Sequence, residues 1–186
     1  MIIMTSKGFT LIEMMITIAI AAILITAAVP SFQEFIKNNR LATQSNAFVT
    51  ALQVARAEAI KRNLAVTVCK SRNGSDCNDD GTDPAGFEQG WIIFPDQQNR
   101  GVRDNNETIL NINQGMPLGM SFKCINAGTN AVCVNGEKKV TYGADGTSAN
   151  NMTLRLCQQG NNKGRLIVIN TTGRARVDPA EYQNCP

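Results

Sequence analysis

"MTSKGFTLIEMMITIAIAAILITAAVP" (residues 4–30) opens the chain with a long apolar run that one carboxylate, Glu13, interrupts near its front. Between Phe9 and Val29 there are 21 residues and no other charge. As a helix such a run spans about 32 Å, close to the roughly 30 Å of bilayer hydrocarbon. A carboxylate in that setting costs about 2.5–3.5 kcal/mol near the bilayer centre and less toward its edge. Glu13 therefore reads as a functional residue that needs a partner. Pro30 at the end of the run predicts a kink or a boundary.

Past Pro30 the pattern changes to an amphipathic helix. Leu41, Ser45, Phe48, Leu52, Ala55 and Ala59 step by four and three residues, with Gln44, Arg56 and Lys61 between them, and the helix is expected to end near Arg62 and Asn63. A narrow stripe of this kind predicts a helix laid on its own domain. From Leu64 onward short β-type runs alternate with Gly, Asn, Asp and Pro. Strands are predicted at 64–69, 90–94, 107–112, 118–124, 138–142, 152–157, 164–169 and 173–177. The loops at 71–89 and 125–136 are long and polar. The expected fold class is α+β, a long N-terminal helix packed on antiparallel sheets.

Composition narrows the chemistry. The chain has 186 residues, six cysteines and no histidine. Without histidine or C-x-x-C spacing, the usual zinc sites and the Ser/His and Cys/His nucleophile pairs have no support. No catalytic constellation, metal or cofactor is expected. "DCNDDGTDPAGFE" (76–88) has the order of a calcium loop in Asp76, Asn78, Asp80 and Gly81, but Phe87 stands where the bidentate Glu belongs and Glu88 comes one residue late. It reads as an acidic turn. An even number of cysteines after a membrane segment predicts disulfides in an oxidising compartment. Fifteen connectivities remain open, and proximity in the chain favours Cys69–Cys77 and Cys124–Cys133, leaving Cys157–Cys185. That last bond is expected to tie the C-terminal tail back to the sheet and so to hold residues 173–176 in a fixed pose.

Charge is unevenly spread. Residues 63–150 carry seven basic and ten acidic side chains, whereas residues 151–186 carry five basic and two acidic. This asymmetry predicts a domain with one positive face.

The motif "KGFTLIE" (7–13) resembles the class III signal of type IV pilins and pseudopilins: a short leader ending in Gly8, then Phe9, Glu13, an apolar helix and Pro30 in register. The resemblance implies cleavage between Gly8 and Phe9 by a prepilin peptidase and N-methylation of Phe9. It divides the chain into a leader at 1–8, a transmembrane and assembly helix at 9–33, and a periplasmic pilin-like globular domain at 34–186. The protein would then be a single-pass protein of the bacterial inner membrane that enters a pilus with other major and minor pilins. Glu13 would pair with the N-terminal amine of a neighbouring subunit, since either charge left alone in apolar surroundings is costly. An ordinary secretory signal cut after Ala28 is the rival, and it leaves Glu13 unexplained.

"ARAEAIKRNLAVTVC" (55–69), "GWIIFPD" (90–96) and "ETIL" (107–110) are similar to the globular domain shared by FimT-type minor pilins and the H-type minor pseudopilins of type II secretion. "TTGRARV" (171–177) resembles the G-R-x-R motif of the DNA-binding FimT-type proteins, carried by Gly173, Arg174 and Arg176. In a strand the two arginines would share a face about 6.5–7 Å apart, near the spacing of successive phosphates. In a turn, Gly173 would let a ligand approach the backbone. Lys163 and Arg165 would extend the patch, with Arg155 weaker. The resemblance implies non-specific DNA binding for uptake in natural transformation; the alternative is a secretion pseudopilin that binds no DNA.

Overall fold

The stripe of Leu41, Ser45, Phe48, Leu52, Ala55 and Ala59 is the face that helix α1 (Leu11–Arg62) buries, and none of the six is more than 2% exposed. The computed structural model describes residues 8–77, 86–98, 101–125, 139–148, 151–178, 182, 183 and 185. Pro30 lies inside α1. The helix closes where the sequence predicts. Asn63 takes the left-handed conformation (φ 53°), with Leu64 N–H donating to Ala59 O and Asn63 N–H to Ile60 O. That pair of bonds is a Schellman cap, and asparagine is one of the few non-glycine residues that occupies its left-handed position readily.

Two compact units divide the chain, residues 1–38 and 39–186. In the first, the described side chains of the apolar segment face outward, as Leu11, Ile16, Ile20 and Leu24 show. α1 is long and apolar enough to cross a membrane.

The second unit carries two antiparallel sheets. One has β1 (Val66–Lys70), β2 (Gly90–Pro95), β3 (Asn111–Gln114) and β5 (Lys139–Tyr142), in the order β3-β2-β1-β5. The other has β4 (Met120–Ile125), β6 (Met152–Gln158), β7 (Lys163–Ile169) and β8 (Ala175–Val177), with β9 (Tyr182–Gln183) also paired to β7. Phe48 of α1 joins the two sheets. Its ring lies 5.0 Å from that of Trp91 on β2 and 4.7 Å from that of Phe122 on β4, both edge-on, and 5.0 Å from Phe87. Edge-to-face geometry is the favoured one for aromatic pairs. On the other side of the first sheet, Cys69, Ile92 and Phe94 form a smaller cluster with Ile109 and Cys77.

The α+β expectation is borne out, with local shifts that have causes. Residues 107–110 are not strand, because Glu107 is buried in a loop where its carboxylate accepts N–H bonds from Gln97 (2.8 Å) and Asp104 (2.9 Å). β8 begins at Ala175 because Asn170–Gly173 forms a turn closed by Gly173 N–H to Asn170 O at 2.9 Å. A short 3₁₀ turn, Phe87–Gln89, precedes β2. There Glu88, the residue one place late for calcium, accepts N–H bonds from Gly86 (2.9 Å) and Phe122 (2.8 Å). Its carboxylate ties the turn to β4. Much of the acidic loop, at 78–85, and the loop from 126 to 138 lie outside the described residues.

Cys69 is bonded to Cys77 and Cys157 to Cys185. Cys124 is also in a disulfide; Cys133, the partner expected from proximity, lies outside the described residues.

Candidate functional site

The two candidate sites fall in different units. In the first, Gly8 and Phe9 are exposed, and Thr10 opens the helix. Thr10 donates twice to Glu13 Oε2, from its backbone N–H at 2.9 Å and its hydroxyl at 2.7 Å, and Glu13 N–H donates back to Thr10 Oγ1 at 3.3 Å. This reciprocal arrangement is a capping box. Reading the sequence for a distant partner of Glu13 missed the nearer one, although T-x-x-E is legible in residues 10–13.

The second site is built by the hairpin of β7 and β8. Pairing sets Arg176 opposite Val168, and Ile167 and Ile169, on the alternate positions, point into the core. Arg176 therefore stands on the outer face, and Arg174, two residues before it, is exposed as well. Together with Val168, Asn170 and Ala175 they line an open groove of about 280 Å³. Asn170 shapes its floor, its Oδ1 accepting the N–H of Arg174 at 3.0 Å.

Lys163 and Arg165 are not part of that face. They share the parity of buried Ile167, and Arg165 pairs with buried Leu156 on β6. Strand alternation sends them to the other side of the sheet, toward the far end of β7. The residues that do share the outer parity are Arg155, opposite Leu166, and Lys123, opposite Arg155. Arg155 is engaged with Tyr182, donating to its hydroxyl at 3.2 Å with the guanidinium 5.4 Å from the ring centre. Asp178, whose N–H donates to Leu166 O, adds an acid of the same parity.

Gly173 is used differently from either expectation. It is buried with φ 77°, and a β-carbon there would lie 2.0 Å from the carbonyl oxygen of Gly146. The close approach that glycine permits is by the chain's own backbone. The Cys157–Cys185 bond ties the C-terminal tail back to the sheet as expected, but it does not hold residues 173–176. It closes at the Gly164 end of β7, whereas the Asn170–Gly173 turn follows the other end, about 20 Å away at about 3.3 Å per residue. The bond fixes β9, and the pose of Arg174 has another source. Among the described residues no cluster of His, Cys, Asp or Glu is placed to hold a metal.

The family model described as type II transport protein GspH matches residues 44–173, a stretch running from the buried stripe of α1 to the Gly173 turn. The chain belongs to the GspH family. The prokaryotic N-terminal methylation motif matches residues 3–29 of this GspH-family chain. Among curated relatives, the pilin-like protein PilA1 of Thermus thermophilus is 28% identical over 186 aligned positions, covering 94% of this chain and 100% of the relative. A fimbrial protein of Moraxella nonliquefaciens is 35% identical over 79 residues, 42% of this chain and 43% of that protein. The fold is that of the type IV minor pilin FimU of Pseudomonas aeruginosa (TM-score 0.56, 21% identity, 82% of this chain and 99% of that one). It is also that of the minor pseudopilin EpsH of Vibrio cholerae (TM-score 0.51, 10% identity, 77% and 97%). The GspH-family chain thus has the pilin-like fold of these proteins, with an apolar N-terminal helix suited to anchoring in a membrane and to a pilus.

Proposed function

We propose that the protein is a minor type IV pilin whose C-terminal basic face binds DNA without sequence preference, serving DNA uptake in natural transformation. In this reading a prepilin peptidase cuts between Gly8 and Phe9. The globular domain lies on the periplasmic side of the inner membrane, and Glu13 pairs with a neighbouring pilin's N-terminal amine on assembly. No catalysis and no cofactor enter it.

One observation carries the DNA reading. Arg174 and Arg176 are both exposed and both line the open groove of about 280 Å³ at the hairpin. Two cations about 6.5–7 Å apart along an extended segment suit successive phosphates and read no bases. The full chain in non-ionic detergent, titrated with short duplexes of unrelated sequence, is expected to bind with a log–log salt slope of about −2 to −4. Replacing both arginines by Gln should reduce that slope by about two and weaken every sequence alike. Absence of salt-dependent binding at low ionic strength would transfer the assignment to the second reading, a type II secretion pseudopilin without a nucleic-acid ligand. The description of the matching family model as a type II transport protein favours that alternative.

A further inference from the structure

Arg174 is presented by a turn, and the turn is held from the helix. Arg56, half-buried on α1, donates from Nε to the carbonyl of Gly146 at 2.9 Å and from an Nη to the carbonyl of Thr172 at 3.1 Å. One planar fork thus bridges two loops that lie 90 and 116 residues further along the chain. The two loops also touch each other. Ser148 N–H donates to Thr171 O at 3.1 Å, and Gly146, in the left-handed region at φ 76°, brings its carbonyl against Gly173. A cleft of about 160 Å³ lined by Gln53, Arg56, Tyr142, Gly173, Arg174 and Ala175 marks the junction.

We infer that Arg56 is a positioning residue for Arg174: its fork locks the Asn170–Gly173 turn against the Gly143–Ser148 loop and so fixes the direction in which the basic hairpin offers its guanidinium groups. The inference rests on the proposed DNA reading for its binding consequence, but not for the lock itself. Geometry makes arginine hard to replace here. A lysine ammonium carries the same charge on one nitrogen and has no fixed fork with which to span both carbonyls. Free Arg174 would have to be ordered by each ligand, and affinity falls by the fraction of molecules already in the competent pose.

Two variants of the full chain in detergent, Arg56→Lys and Arg56→Gln, separate the roles. Amide hydrogen exchange reads the lock directly. In both variants the N–H groups of Gly173, Arg174 and Ser148 should exchange at least about tenfold faster, while Ile167 and Ile169 of the adjoining ladder keep their protection. On DNA both variants should bind about fivefold more weakly with an unchanged salt slope, because no phosphate contact is lost. Two results would overturn the inference. One is unchanged exchange at the three turn amides. The other is wild-type binding by Arg56→Lys together with a slope reduced by about one in Arg56→Gln, which would make Arg56 a phosphate contact. Should the wild type bind no DNA, the functional reading fails and the exchange arm alone decides the lock. Where Arg56→Gln folds poorly, Gly146→Ala perturbs the same junction from the other side, since at φ 76° its β-carbon would lie 2.7 Å from Ile60 Cδ1 and 3.2 Å from Arg56 Nε, and it should loosen the same three amides.

Discussion

Asp145 shows how a single exposed side chain shapes the loop that Arg56 grips. Its Oδ1 accepts the N–H of Thr147 at 3.0 Å and the Thr147 hydroxyl at 2.7 Å, and these bonds hold its carboxyl below the ordinary aspartate range. A carboxyl with a lowered folded value stabilises the fold above its unfolded value and loses that contribution as pH falls through the lower one. Thermal unfolding followed from neutral to strongly acidic pH should therefore show a shallower acid limb for Asp145→Asn than for the wild type. Tyr142 works in the opposite direction. Burial, against the opposing pull of nearby Arg56, pushes its phenol up to about 12. The unfolded phenol ionises near 10, so stability should fall between about pH 10 and 12 while the folded phenol stays neutral. Its hydroxyl makes no hydrogen bond among the described residues. Tyr142→Phe is expected to flatten that alkaline decline and to leave the melting temperature at neutral pH unchanged or raised. Neither behaviour was legible in the sequence. The chain shows "YGADGTS" at 142–148 as a turn signal, but not which strand buries the tyrosine.

At the level of elements, local periodicity carried most of the information. The six-residue stripe of α1 and the alternation within β6 and β7 are properties of contiguous sequence, so both could be read before folding was considered. β9 could not, because two residues make no pattern and Tyr182–Gln183 owes its place to a crosslink from a neighbouring residue. The basic face was half legible for the same reason. Arg174 and Arg176 lie two residues apart in one contiguous segment, whereas the positions of Lys163, Arg165, Arg155 and Lys123 relative to them depend on inter-strand register. The Cys157–Cys185 bond closes a separation of 28 residues, worth about 3.5 kcal/mol in the loop-entropy model. Replacing both cysteines by Ser should lower the melting temperature by about 7–14 °C and raise exchange in β9. DNA binding should change little, since the bond closes far from Arg174. A large loss of binding with intact Arg56 contacts would return the disulfide to the role first expected of it.

For the whole molecule, the proposed assembly role falls on the N-terminal unit. Glu13 is satisfied by Thr10 within one chain, so the proposed pairing with another subunit's amine would be an exchange of partners, not the rescue of a lone charge. Glu13→Ala should leave the globular unit's melting behaviour unaltered, because its core begins at Leu41. The variant should remain in the membrane and be missing from sheared filaments, as read by immunoblot. Incorporation at the wild-type level would remove Glu13 from assembly. Peptide mass spectrometry of the mature chain should find methylated Phe9 at its start.

The aromatic hub at Phe48 has a consequence for biogenesis. Phe48 leaves the ribosome early, yet its ring partners arrive with Phe87, Trp91 and Phe122, and strands β6, β7 and β8 of the second sheet later still. Topologies dominated by such distant closures fold in milliseconds to seconds, far more slowly than helical bundles. For that interval the helix presents a bare, adhesive stripe, and the nascent chain is a natural client for a chaperone until its last hairpin is made.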